Sequence, residues 1–102
     1  MRENETATPK AYLELGGCYS LLGEYAKSAQ CHIRMMDRHP DFAMTYHAQY
    51  ALVQNYQDMS REGLITASEA EQMTGSAFEE FLQKYPDCTT AKPARGWLNK
   101  HN

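Results

Sequence analysis

Residues that could carry chemistry are concentrated in the first half of the chain. Cys31 and His32 are adjacent, His39 follows them, and Cys18 lies upstream. Thiol and imidazole groups together could hold a metal ion or form a nucleophile with its base. Neighbouring residues on a helix point about 100° apart, so Cys31 and His32 cannot easily bind one ion. We therefore expect His32 to be a buried packing residue and the cysteines to be ordinary thiols.

Other reactive arrangements are equally weak. The acid pairs Glu69/Glu71 and Glu79/Glu80 diverge on a helix, unlike the two facing carboxylates of a glycosidase. His47 is the one histidine that packing does not account for, but nothing places it near a thiol. The chain has no phosphate-binding loop, HExxH, GxSxG or calcium loop. We predict that the protein is not an enzyme and uses neither a metal nor a cofactor.

Length and composition restrict the class of protein. The chain has 102 residues, 42% of them hydrophobic, and a net charge of -3 at pH 7. That length predicts one modest core, and the charge gives no electrostatic reason to bind nucleic acid. No apolar run is long enough to span a bilayer, so we expect no membrane insertion. Three cysteines without CxxC spacing favour a cytoplasmic location, and a bacterial envelope location stays open if a signal was removed.

Apolar periodicity and turn residues predict an all-α fold of about five helices. Residues 1–8 are polar and are expected to form a disordered lead-in to a single domain at residues 9–102. The expected helix starts follow Thr8, Gly23, Asp41, Thr66 and Thr89 or Thr90, and the expected stops are Gly23, Pro40, Gly63 and Pro86. Thr66 and Glu69 have the spacing of a capping box.

The apolar stripes indicate which side chains should form the core. The third helix is expected to bury one stripe of large and small apolar residues, Ala43, Tyr46, Tyr50, Val53 and Tyr56. Phe78 and Phe81 should be buried in the fourth helix, and Trp97 in the last. Gly16 and Gly75 are expected where two helix backbones approach closely.

An internal repeat is visible in the endings of two helices, "MMDRHPDFA" and "EEFLQKYPDC". Repetition of a helical hairpin is typical of a solenoid. The first hairpin resembles the tetratricopeptide repeat (TPR) family, whose characteristic positions are filled in order by Tyr12, Leu15, Gly16, Tyr19, Gly23, Tyr25, Ala29 and Pro40. The departures are Tyr12 for Trp, Ser28 for Ala, His32 for an aromatic residue and Met35 for Ala.

The second unit follows the TPR pattern less closely. Its corresponding residues are Tyr46, Tyr50, Phe78, Phe81 and Pro86, and the usual Leu-Gly pair is replaced by Gln49-Tyr50. Pro40 and Pro86 are 46 residues apart (86 − 40), about twelve more than the family period. We expect the additional residues to add about three turns, shared between the paired helices.

The resemblance implies a short right-handed α-solenoid with units at 9–40 and 41–86 and a capping helix at 89–100. The first helix of each unit would line a concave groove, formed here by Lys10, Leu13, Glu14, Gly17, Leu21, Met44, His47, Ala51, Gln54 and Asn55. Chaperone-tail receptors of this family clamp a C-terminal carboxylate, but Leu13, Gly17 and Ala48 stand at the corresponding places.

The resemblance therefore predicts a non-catalytic interaction module with a different ligand. We expect a peptide or protein segment held by Leu13, Leu21 and Met44, with Gln54 and Asn55 bonding to its backbone.

The alternative is a self-assembling repeat protein. Two repeat units bury little core, and repeat folds usually need about three. The segment 58–80 is acidic and the residues after Asp87 are basic, so copies of the chain could associate head to tail. On this hypothesis the chain is a homo-oligomer or a piece of a longer solenoid.

Overall fold

The structure is a computed structural model that describes residues 7–101. It contains five α-helices, and no strand occurs among these residues: α1 (Pro9–Leu21), α2 (Tyr25–Arg38), α3 (Thr45–Arg61), α4 (Ala67–Lys84) and α5 (Ala91–His101). The predicted all-α class is confirmed. The predicted disordered lead-in at 1–8 lies outside the described residues except for Ala7 and Thr8.

Local chemistry explains where most of the helices begin and end. Thr8 Oγ1 accepts a hydrogen bond from Ala11 N at 3.1 Å, and Pro9 occupies the first helical position, where a missing N–H costs nothing. Thr66 and Glu69 form the expected capping box at the start of α4. Gly23 and Gly63 both have φ of 77°, a backbone conformation that favours glycine at a helix stop.

The first hairpin closes over a glycine. A side chain at Gly16 would place its Cβ 2.7 Å from two ring atoms of buried His32, so α1 and α2 can approach this closely only at a glycine. Ser28 Oγ donates to Gly16 O at 2.7 Å, and Asn55 Nδ2 donates to Ser28 Oγ at 2.9 Å. These two bonds connect α1, α2 and α3 through the interior. The close-contact role predicted for Gly16 is confirmed.

The start predicted for the third helix is wrong. Asp41 does not cap α3, which begins four residues later at Thr45. Thr45 N donates to Phe42 O at 2.9 Å and Thr45 Oγ1 donates to His39 O at 2.6 Å, so residues 40–44 are a hydrogen-bonded turn. Asp41 Oδ1 instead accepts from Thr89 N in the loop before α5. The Asp41 carboxylate, which the local sequence predicts to be a helix cap, thus connects the loop before α3 to the loop before α5.

The buried stripe predicted for α3 is wrong in its first half, whereas Tyr56 is buried and Val53 is half-buried against the core as predicted. Tyr46 is 49% exposed and Tyr50 is 60% exposed, whereas the buried residues of α3 are Thr45, Ala48, Gln49, Leu52, Asn55 and Tyr56. α3 packs against both α2 and α4, and small or hydrogen-bonded side chains such as Thr45 and Ala48 fit between closely spaced helices. Tyr46 and Tyr50 are therefore turned outward, contrary to the prediction that they are buried.

The two helix junctions that contain Pro-Asp have the same structure. His39 and Tyr85 end α2 and α4 with φ of −133° and ψ of 56° and 63°, and each donates its N–H to the carbonyl four residues earlier. α3 and α5 each begin six residues after these caps. α3 and α4 have 17 and 18 residues against 13 and 14 in α1 and α2, so the second hairpin is about two turns longer in total rather than the three predicted.

The second hairpin and α5 share an aromatic contact. Phe78 and Phe81 are buried as predicted, and Trp97 packs edge-on to Phe78 with ring centroids 5.5 Å apart. A Cβ at Gly75 would lie 3.7 Å from Trp97, an ordinary packing distance. The close approach predicted for Gly75 therefore does not require a glycine.

Each helix packs against the next along the chain, and α1 also contacts α3 while α2 contacts α4. The molecule measures 33 × 32 × 19 Å, and its thin dimension corresponds to about two helix layers. α3 and α5 make little direct contact, which leaves a cleft between them. The right-handed twist of a TPR solenoid stays a prediction.

Candidate functional site

Most residues of the predicted groove lie at the surface of α1, of α3 and of the turn before α3. Lys10, Glu14, Gly17, Leu21, Met44 and His47 are exposed, and Leu13, Ala51 and Gln54 are half-buried. Asn55 is the exception, since only 2% of it is exposed and its amide bonds to Ser28. The prediction that Asn55 bonds to a ligand backbone is therefore wrong; it belongs to the polar chain that joins three helices.

One end of this surface forms an apolar pocket of about 360 Å³. Leu13 and Met44, both predicted to hold a ligand, line it together, and Lys10 lies beside them. Leu21 lies outside this pocket, eight residues further along α1, about 12 Å away along the helix axis. Of the three residues predicted to hold the ligand, Leu13 and Met44 share a pocket, and a contact with Leu21 stays a prediction.

A second cavity of about 460 Å³ lies between α3 and α5, and we call it the α3–α5 cleft. Its lining is aromatic and amide-rich: Tyr46, Gln49, Tyr50, Val53, Gln54, Gln57, Phe78, Pro93, Gly96, Trp97 and Lys100. Gln54 is the only one of these residues that the sequence assigned to the groove. The others were missed because their exposure depends on where α5 packs, and on the orientation of α3.

Gln49 lies behind the wall of the α3–α5 cleft and has a buried polar atom without a partner. The residue is 3% exposed, and its Nε2 donates to Thr90 O at 3.0 Å. That bond requires a donor, so it establishes which end of the amide is Oε1. Oε1 is buried and has no hydrogen-bond partner among residues 7–101. A buried acceptor of this kind costs free energy unless a donor reaches it.

Trp97 is held firmly at the edge of the α3–α5 cleft. Its ring stacks on His101 with centroids 4.1 Å apart and an interplanar angle of 16°, and its other neighbour is Phe78. His101 Nδ1 lies 3.2 Å from Glu71 Oε1, which connects α5 to α4. The indole is therefore a preorganised part of the cleft wall.

A third cavity, of about 590 Å³ and larger than the other two, lies between α2 and α4 on the other helix layer. The sequence predicted no site there. Its apolar lining includes Ile33 and Met73, and the polar groups at one end are already paired, since Lys84 Nζ lies 3.4 Å from Asp37 Oδ1 and Tyr85 Oη donates to Asp37 O at 2.9 Å. None of its lining residues has an unsatisfied buried side-chain atom.

The residues considered for catalysis are not arranged for it. Burial raises the pKa of the Cys31 thiol and lowers the pKa of the His32 imidazole, so both groups favour their uncharged forms. His32 packs against Gly16, and Cys18 is exposed on α1. Across residues 7–101, no group of three or more His, Cys, Asp or Glu side chains could hold a metal ion. None of the helices described is long and apolar enough to cross a membrane.

Comparison with protein-family models, with curated protein sequences and with solved structures finds no match for the chain.

Proposed function

We propose that the protein is a non-catalytic interaction module that binds a segment of another protein across the outward surface of α1 and α3. One observation carries this proposal: Phe42, Met44, Tyr46 and Tyr50 are 44%, 44%, 49% and 60% exposed within nine residues of chain. Aromatic residues and methionine are enriched where proteins bind each other, and contiguous exposed apolar groups are typical of binding surfaces.

These four residues connect the two cavities of this layer. Phe42 and Met44 line the pocket beside Leu13, and Tyr46 and Tyr50 line the α3–α5 cleft. A bound segment could therefore contact both cavities while it crosses α3. The TPR resemblance supports the same location, because it places the ligand on the first helix of each unit.

The second candidate, self-assembly by stacking of copies, is favoured by the small core of two repeat units and by the acidic segment 58–80 with the basic residues after Asp87. Extension of a solenoid requires an apolar face on its terminal helix. The outward stripe of α5 is polar or small, namely Lys92, Arg95, Gly96 and Asn99, all exposed. This composition suits a capping helix, and we therefore favour binding of a different protein.

A site-specific cross-link tests the proposal. A photoreactive amino acid at position 50 should form one discrete adduct in extracts of the source cells, and unlabelled protein should compete for it. The same group at Asn99, exposed on the polar stripe of α5, is the matched control and should not give that adduct. Adducts common to both positions, or only chain-to-chain adducts at position 50, would contradict the proposal.

A further inference from the structure

We infer that α5 is a gate of the α3–α5 cleft: it leaves α4 as a unit while α1–α4 stay folded, and one wall of the cleft leaves with it. This inference concerns the regulation of the proposed binding surface and therefore rests on the proposed function, but the opening itself can be measured without a partner. It is based on how α5 packs, where it is anchored, and a glycine in its middle.

α5 has the weakest packing of the five helices described. It packs closely against α4 alone, whereas each of the other four packs against at least two helices. Its buried residues are both alanines, Ala91 and Ala94, while every other helix buries at least one large apolar side chain. Trp97 and Leu98 are only half-buried. Elements with few buried apolar contacts open locally at a low free energy.

The two ends of α5 are anchored differently. The loop before it is fixed to the second hairpin, since Gln49 Nε2 donates to Thr90 O at 3.0 Å and Thr90 Oγ1 donates to Pro40 O at 3.0 Å. At the other end, His101 Nδ1 lies 3.2 Å from Glu71 Oε1 of α4, and both side chains are exposed. Exposed pairs of this kind contribute little stability. The start of α5 is therefore the fixed point about which the helix can leave α4.

Gly96 weakens α5 itself. It lies inside the helix and is exposed, and a Cβ there would meet nothing within 4 Å. Packing therefore does not require glycine, which inside a helix is less stable than alanine. The stack of Trp97 on His101 lies within α5 and does not attach the helix to α4. A helix of 11 residues is marginal in water without packing, so α5 should melt once it leaves α4.

Opening of α5 would change the proposed binding surface directly. Pro93, Gly96, Trp97 and Lys100 line the cleft from α5 and would leave it together, whereas Tyr50 stays on α3. A partner segment that contacts both walls binds the closed form alone. Its binding should therefore hold α5 closed, and any change that favours the open form should lower its affinity.

Native-state hydrogen exchange at low urea concentrations, resolved by amide, measures the opening. The amides of residues 95–100 should share one free energy of opening and be at least about tenfold less protected than the slowest amides of α2 and α3. Their exchange should also depend less on urea, because the opening exposes less surface. Equal protection and equal urea dependence in all three helices would overturn the inference. Protection that falls steadily from Arg95 to Lys100 would also overturn it, because that pattern is fraying of a helix end.

Two glycine variants separate local from global opening, since Gly96 and Gly17 are both exposed in helices with free space for a Cβ. Gly96→Ala should slow exchange of the α5 amides about two- to fivefold, because it stabilises the helix that melts. Gly17→Ala makes the same change in α1, which stays folded when α5 opens. It should slow exchange of the slowest α2 and α3 amides by a similar factor and leave α5 exchange unchanged. Equal slowing of α5 by Gly17→Ala would show that α5 opens only with the whole molecule.

The two proposals fail in different ways. The partner segment captured at position 50 should slow exchange of α5, and unchanged α5 exchange with that segment bound would overturn the gate. If α5 exchanges only with the whole molecule, the gate is wrong and the interaction module stands. If α5 opens separately and no adduct forms at position 50, the interaction module is wrong and the opening of α5 stands.

Discussion

Gly16 and Gly17 are adjacent in α1, but they differ in what a methyl group would meet. At Gly16 a Cβ would lie 2.7 Å from the His32 ring, and at Gly17 it would meet nothing within 4 Å. Replacing glycine by alanine raises the helix propensity by the same amount at both positions, so this effect cancels in the comparison. We therefore predict that Gly16→Ala is less stable than Gly17→Ala by roughly 1–3 kcal/mol, the usual cost of overpacking. Urea unfolding of the two variants measures this difference.

Equal stability of the two alanine variants would show that His32 can move aside at little cost. His32 is 4% exposed and packed against Gly16, so the ring has little space for such a movement. Equality would therefore contradict the close-contact role of Gly16.

The buried imidazole of His32 should make stability depend on pH. Desolvation lowers its pKa below the ordinary value of 6.5 in the folded protein. The unfolded chain then takes up the proton at a higher pH than the folded chain does. The stability associated with neutral His32 is complete above pH 6.5 and is lost as the pH falls from there through the folded pKa. Unfolding curves at several pH values between about 5 and 8 measure this loss.

The control for the pH prediction is a histidine at the surface. His32→Asn should flatten the dependence of unfolding free energy on pH in this range, whereas His47→Asn should leave the wild-type slope, because His47 is exposed. A wild-type slope in His32→Asn would show that other groups cause the dependence.

At the scale of elements, one buried hydroxyl connects three helices. Ser28 is fully buried, donates to Gly16 O in α1 and accepts from Asn55 Nδ2 in α3. Ser28→Ala leaves both groups without this partner, and we predict a loss of about 1–3 kcal/mol. Gln30→Ala, at an exposed position of the same helix, should stay within about 0.5 kcal/mol of wild type by urea unfolding. A neutral Ser28→Ala would mean that the polar chain does not hold the helices together.

Helix limits could be predicted where a single residue determines them. Thr8, Gly23, Gly63 and the Thr66/Glu69 capping box each act through their own backbone neighbours, so the sequence was sufficient. The start predicted for α3 was wrong because the side chain of Asp41 accepts a hydrogen bond from Thr89, 48 residues away, instead of capping the helix. Local sequence contains no information about that contact.

The prediction of which face of α3 is buried was partly wrong for a related reason. A stripe through Tyr46 and Tyr50 is more hydrophobic than the stripe that is buried, which includes Thr45 and Gln49. Gln49 is accepted in the interior because Thr90 binds its amide, and Thr45 because it bonds to His39. Hydrophobic periodicity takes no account of such hydrogen-bond partners, so it placed Tyr46 and Tyr50 wrongly in the interior, although Tyr56 of the same stripe is buried.

At the scale of the whole molecule, the candidate site was predicted in part. The TPR resemblance predicts a groove on α1 and α3, and Leu13, Met44 and Gln54 line cavities on this side of the molecule. Trp97 and Lys100 could not be assigned to it, because the cleft exists only where α5 lies opposite α3. Asn55 is excluded from the site by its burial, and Leu21 lies outside both cavities.

We propose that partners bind to the α1–α3 surface and not to the larger cavity between α2 and α4. Calorimetric titration with the partner segment captured at position 50 tests it most directly. Tyr46→Ala/Tyr50→Ala should weaken binding at least about tenfold, and Met73→Ser should leave it unchanged. Undiminished binding to the double variant together with loss of binding to Met73→Ser would contradict the claim.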